Sequence, residues 1–223
     1  MSVLVAISRV ENGSQHSTNL ELLSEIQVNR RKWFKSLGLS TDNATRVIAS
    51  YDRDDYCIYR EVSLVNDKGL GMDIPTSEPS DALITRDKGH ILFLPVTDCI
   101  AATLYDPVTE TLMLSHLGRH SLEQDGAYKS VKHLVDNYEV DAKNLQIWLS
   151  PAPSKESYPI YALRGVGMKE AAMSQLTRAS VGASQITDSP YDTATDDRYY
   201  SHSAFQRGEK STDGRYAMLA VLR

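Results

Sequence analysis

Cysteine is scarce in this sequence. Cys57 and Cys99 are the only two among 223 residues, too few for a disulfide framework, and a reducing cytoplasm is the expected setting. Long apolar runs are missing as well: no window approaches the roughly 18 consecutive apolar residues of a membrane span. The start, MSVLVAISRVENG, lacks a basic leader and a small-residue cleavage site, so it reads as a first strand and not as a signal peptide. Positive charge is outnumbered, with 24 Lys and Arg against 29 Asp and Glu. The net charge of -5 and the pI near 5.7 argue against a nucleic-acid surface. There is no internal repeat, low-complexity tract or linker, so residues 1-223 are expected to form one compact α/β domain. An apolar content of 41% suffices for a sizeable core at this length.

What is present concentrates between Asp81 and Ser121. Two apolar runs, Ile91 to Val96 and Ile100 to Tyr105, flank a polar break at Thr97-Asp98-Cys99, and a third run, Leu112 to Leu114, delivers His116 just before Leu117-Gly118. The pattern predicts three adjacent strands, the last two joined as a hairpin by the turn at Tyr105-Asp106-Pro107. Antiparallel pairing across that turn would bring Cys99 and His116 together. A thiol meeting an imidazole is either half of a metal site or a nucleophile–base pair.

Around this centre, Val3 to Ile7, Arg46 to Ala49, Cys57 to Val62, Leu145 to Leu149, Ala183 to Thr187 and Tyr216 to Leu222 read as strands, and Ile160 to Leu163 is strand-like. Helices are predicted over Ser17 to Leu39, with a capping box at Thr18-Asn19-Leu20-Glu21, over Ser121 to Asn137, and over Gly167 to Ala179. Residues 66–79 and 188–214 are left as long loops. Cys57 is expected in the core, and His90 and His133 at the surface. His120 approaches the site if the chain turns helical after His116. His202, in a polar loop, could fold over a pocket.

The order of short motifs adds a resemblance. Asp81-Ala82-Leu83-Ile84-Thr85, Thr97-Asp98-Cys99, Tyr105-Asp106 and His116-Leu117-Gly118-Arg119-His120-Ser121 follow one another as in the YfiH-type, laccase-domain family, also called multicopper polyphenol oxidoreductases. Asn19-Leu20, Asn29-Arg30, Ser150-Pro151-Ala152-Pro153 with Tyr158, Tyr200-Ser201-His202 and Gly214-Arg215 extend the match over nearly the whole chain. The resemblance implies mixed β-sheets flanked by helices, a fold shared with bacterial toxin deamidases that use a Cys–His pair. It also implies a zinc site built from two histidines and a cysteine, and phosphorolysis of purine nucleosides with adenosine deamination beside it.

Carried over by position, Cys99 and His116 match two of the ligands. The third, a histidine of a Q-V-H-G segment, has no counterpart, because no histidine lies between His16 and His90. The segment falls on Ser50-Tyr51-Asp52-Arg53, which puts Asp52 at the ligand position, as a zinc ligand or a general base. The family's W-R-G becomes Arg119-His120-Ser121, and two arginines after the C-terminal Y-S-H are replaced by Ser203 and Ala204. Arg119, His120, His202 and Arg207 are therefore the expected substrate contacts. Copper is the lesser expectation, since six histidines without a His-x-His pair cannot populate a multicopper cluster. The expected function is a zinc enzyme acting on a small-molecule substrate, a purine nucleoside with phosphate, and no protein partner is indicated. The alternatives are an altered family member serving as a binding module and a metal-free Cys–His hydrolase or deamidase.

Overall fold

The computed structural model describes residues 2–223. In chain order its elements are β1 (Val3–Ile7), α1 (Leu23–Ser36), β2 (Ala44–Arg46), β3 (Tyr59–Glu61), β4 (Ala82–Thr85), β5 (Ile91–Val96), β6 (Ile100–Asp106) and β7 (Thr111–Leu117). There follow α2 (Arg119–Glu123), α3 (Gly126–Tyr138), β8 (Gln146–Leu149), α4 (Met168–Arg178), β9 (Ile186–Asp188), α5 (His202–Gln206) and β10 (Tyr216–Leu222). Strands β1-β10-β5-β2 form one sheet, and β3-β4-β7-β6-β8-β9 form the other. Both sheets are mixed: β2 runs parallel to β5, β3 to β4 and β8 to β9, and the other pairs are antiparallel.

The apolar pattern dictates the layering. Strands buried on both faces read as continuous apolar runs and need cover on each side. In β10, Tyr216, Met218, Ala220 and Leu222 face the second sheet with Leu83, Leu94, Tyr105 and Leu114. The alternate residues Ala217, Leu219 and Val221 face α1, where Trp33 and Phe34 pack with Phe93. Phe34 meets Phe93 edge to face with centroids 5.5 Å apart, the geometry that ring quadrupoles favour. On the far side of the second sheet, Leu122, Val131, Leu134, Met168 and Leu176 of α2, α3 and α4 cover Ile84, Leu104 and Met113. The result is helix, sheet, sheet, helix in four layers.

Several sequence expectations shift. The three central runs are strands, but β5 is not the neighbour of β6: it belongs to the other sheet, and β4 pairs with β7 instead. The first helix is shorter than predicted. Asn19 accepts from the Glu21 amide and caps a 3-10 turn over Leu20–Leu22 in place of the predicted capping box. The predicted strand at 46–49 lies at 44–46, where it pairs with β5. The helix predicted from 121 to 137 is split by Asp125, whose φ of 62° ends α2 and reorients α3. Ile160 to Leu163 forms a 3-10 turn and not a strand. The loop at 188–214 contains α5. Cys57 is half-buried ahead of β3 and His133 is half-buried on α3. His90 is fully buried, its imidazole bonded to Thr45 (2.8 Å) and Thr85 (3.4 Å).

Candidate functional site

The chain passes from one sheet to the other at Thr97-Asp98-Cys99, and this crossing builds the site. Asp98 adopts a left-handed backbone (φ 55°), which Asp tolerates better than most residues. Its carboxylate accepts from Ser201 Oγ (2.6 Å), from the Ser203 amide (2.6 Å) and from Thr193 Oγ1 (3.4 Å). Thr97 Oγ1 accepts from the His202 amide at 3.1 Å. The crossing is thereby fastened to the start of α5, which carries His202 to the cleft wall.

Beyond the crossing, Cys99 leads into β6. Ala101 pairs with His116 and Ile100 with Leu117, which sets Cys99 opposite Gly118. A Cβ at Gly118 would lie 3.0 Å from His116 Cε1, 3.2 Å from Nε2 and 3.3 Å from Cys99 Sγ. Thiol and imidazole therefore converge on one point, and the missing side chain at Gly118 leaves them room. Burial, with Asp98 adding to it, pushes the Cys99 thiol up to about 12. Burial and the Arg53 guanidinium push His116 down to about 4. Both groups are neutral near pH 7.

They line a cleft of about 600 Å³. Tyr51, largely exposed, stands at one side of the cleft with its ring edge on to His116 (centroids 6.5 Å apart, 83°). On another wall Arg46 and Arg215 flank His16, with the guanidinium of Arg30 buried behind them. Arg46 Nη1 donates to His16 Nδ1 (3.2 Å) and its Nε to the Gly71 carbonyl (2.5 Å). Arg30 is buried under Phe93, with Nε donating to the Gln15 carbonyl (2.8 Å). Arg215 donates to Asp213 Oδ1 (3.1 Å). Burial and then Arg46, Arg30 and Arg215 drive His16 down to about 3, and burial followed by Arg46 brings Arg30 down to about 9. Among the described residues neither Arg30 nor Arg46 forms an ion pair with a carboxylate.

Of the residues named from sequence, Cys99, His116, Arg119, His120 and His202 line this cleft together. His120 stacks on Tyr56 at 4.7 Å, Arg119 Nη2 reaches His120 Nε2 (3.1 Å), and His202 Nδ1 meets Asp213 Oδ2 at 3.1 Å. Two do not join them. Asp52 is exposed and outside the cleft lining; the chain bends there so that Tyr51, one residue earlier, faces His116. Arg207 is exposed and held by Glu209 (Nη2 to Oε2, 2.7 Å), also outside the lining. Sequence reasoning missed His16, Arg30, Arg46 and Tyr51. The sequence did carry signals for three of them: Arg30 in the Asn29-Arg30 motif, Tyr51 inside the Ser50-Tyr51-Asp52-Arg53 segment, and the isolated Arg46 at the head of an apolar run.

The donor set does not fit a three-ligand metal ion. Catalytic zinc takes three protein ligands, and among the described residues no group of three or more His, Cys, Asp or Glu could hold a metal. The nearby carboxylates are committed, Asp98 as above and Asp81 to Arg53 and the Ile58 amide. A buried Arg53 Nη1 without a hydrogen-bond partner adds fixed positive charge to this neighbourhood.

Two sheets in this order, with a thiol at the crossing and an imidazole on the hairpin, define a laccase-domain architecture. The chain belongs to the multi-copper polyphenol oxidoreductase laccase family, whose model matches residues 11–163. Its fold is that of Bacillus licheniformis hypothetical protein YfiH (TM-score 0.84, 18% identity, 99% of this chain and 93% of that one). Geobacillus stearothermophilus YlmD is similar as well (TM-score 0.83, 20% identity, 99% and 92%). A Neisseria meningitidis protein matches at a TM-score of 0.73 and 14% identity, over 99% and 94% of the two chains. No curated protein matches the sequence significantly.

Proposed function

We propose that this protein binds a purine nucleoside and inorganic phosphate in the cleft and catalyses phosphorolysis of the N-glycosidic bond. The observation that carries the reading is the pair Arg46 and Arg215 beside His16 in a cleft of nucleoside size, with buried Arg30 adding positive charge behind them; Arg215 meets Asp213, while Arg46 and Arg30 form no ion pair with a carboxylate among the described residues. His16, neutral and accepting from Arg46, aims that guanidinium instead of competing with it. A phosphate seated there would attack C1′ of the sugar. The C1′–N bond breaks with its electron pair leaving on the purine, and a proton delivered to the base completes sugar 1-phosphate and free base. His202 lines the same cleft with Nδ1 on Asp213 (3.1 Å) and Nε2 on Gln206 Nε2 (2.9 Å), and it would serve as the proton donor to the base once Gln206, on the same cleft wall, gives up that contact to substrate. Tyr51, Tyr158 and the His120 ring offer aromatic surface for the base.

Adenosine deamination needs an activated water, and with a donor set that does not fit zinc it forms no part of the reading. A Cys–His hydrolase is not favoured either: burial pushes the Cys99 thiol up and the His116 imidazole down, so the pair does not rest as the thiolate–imidazolium such sites use. The failed metal fit does favour a second reading, a family member that binds nucleoside or phosphate without turnover. The two free cysteines suit a reducing cytoplasm, and among the described residues no helix is long and apolar enough to cross a membrane.

The test is release of free base from adenosine, inosine or methylthioadenosine. Phosphate-dependent release is expected, with Arg46→Ala raising the KM for phosphate by about tenfold or more, the loss of one charge-assisted contact. Thermal stabilisation by nucleoside or phosphate with no base released would establish the binding module instead.

A further inference from the structure

The family name carries a metal that this donor set does not fit, and the reason lies in the segment 50–53. Cys99 Sγ and His116 Nε2 still converge beside Gly118, so the site has not been dispersed. The third side offers no ligand among the described residues. Tyr51 presents its ring to His116 there, and a phenol is a poor substitute for imidazole or carboxylate as a zinc ligand. Two residues on, Arg53 turns inward. Its Nε donates to the Ser50 carbonyl (3.0 Å), its Nη2 pairs with Asp81 Oδ1, and its guanidinium lies over the Tyr56 ring at 5.6 Å. Asp81 is nearly fully buried, its other oxygen accepts from the Ile58 amide (2.9 Å), and its carbonyl accepts from the His116 amide (2.7 Å). The ion pair is therefore built onto the backbone that carries His116. The Arg53 Nη1, buried and unpartnered, leaves part of that positive charge without local compensation.

We propose that this chain has exchanged the family's metal for the Arg53–Asp81 ion pair: the Cys99–His116 site works without a bound transition metal, and Tyr51 and Arg53 are the residues that exclude one. Arg53 is then the resident cation behind His116, covalently part of the chain. The inference stands whether or not the cleft performs phosphorolysis.

The experiment reads metal content, not activity. Wild-type protein, purified without a metal-chelating tag, is equilibrated with zinc and separately with copper, desalted and assayed for bound ion. It is expected to hold less than about 0.1 ion per chain, whereas Tyr51→His/Arg53→Gln should approach about one zinc per chain, the stoichiometry of a restored three-ligand site. Adding Cys99→Ala should return it to the wild-type level. Removing Arg53 leaves Asp81 buried without its partner, so Tyr51→His alone, at an exposed position, is the second variant, expected to hold roughly fivefold more zinc than wild type on regaining a third ligand. About one ion per wild-type chain, lost in Cys99→Ala, would overturn the proposal. So would the absence of any gain in whichever of the two variants folds.

Discussion

Asp98 shows how much one residue contributes here. A left-handed turn, two hydroxyl donors and one backbone amide depend on its carboxylate. Asp98→Ala leaves the Ser203 amide and the Ser201 hydroxyl without their acceptor, and each such loss costs about 1–3 kcal/mol. Urea unfolding should show a loss of about 3 kcal/mol, with Asp98→Asn, which tolerates the same backbone and keeps one acceptor, losing less. At this scale Cys99, His116 and their neighbours were legible because they fall within an ordered run of short motifs. Tyr51 was not, since a bend of one residue decides whether position 51 or 52 faces the cleft. Nor was the His16–Arg46 pair, which forms only when the loop after β1 closes over the end of β2.

At the scale of elements, strands were legible from apolar runs but their partners were not. A fully buried run carries no record of which neighbour it pairs with: the pattern sets β5 beside β6, whereas the chain changes sheets between them. The corner between α2 and α3 was hidden for a different reason. Apolar spacing continues across it, and only the left-handed Asp125 and the tight packing of Gly126 break the helix. A Cβ at Gly126 would meet Ser121 Oγ at 1.9 Å and the Ser121 carbonyl oxygen at 2.7 Å. Gly126→Ala should then force the two helices apart, at about 2 kcal/mol or more in chemical denaturation. The same change at exposed Gly208 (φ 76°), where a Cβ meets nothing within 4 Å, creates no clash and tests backbone strain alone.

At the scale of the molecule, four layers leave one polar cleft at the junction of the sheets, and its charge links stability to pH. His16 titrates at about 6.5 in the unfolded chain and about 3 in the folded one, so between those values the unfolded state binds the extra proton. Stability from the neutral imidazole is complete above pH 6.5 and declines as pH falls toward 3, at up to about 1.4 kcal/mol per pH unit for one proton. His16→Asn, which keeps an acceptor for Arg46, should flatten the decline of the unfolding midpoint between pH 6 and 4. An unchanged slope would place the titrating group elsewhere.

The same cleft carries the functional account, and phosphorus NMR tests it most directly. Protein incubated with a purine nucleoside and inorganic phosphate should convert the phosphate signal into that of a sugar 1-phosphate ester, in step with release of free base, and Arg46→Ala should slow both together. Free base appearing without a phosphate ester, or an unchanged phosphate signal across the purine nucleosides, would contradict it.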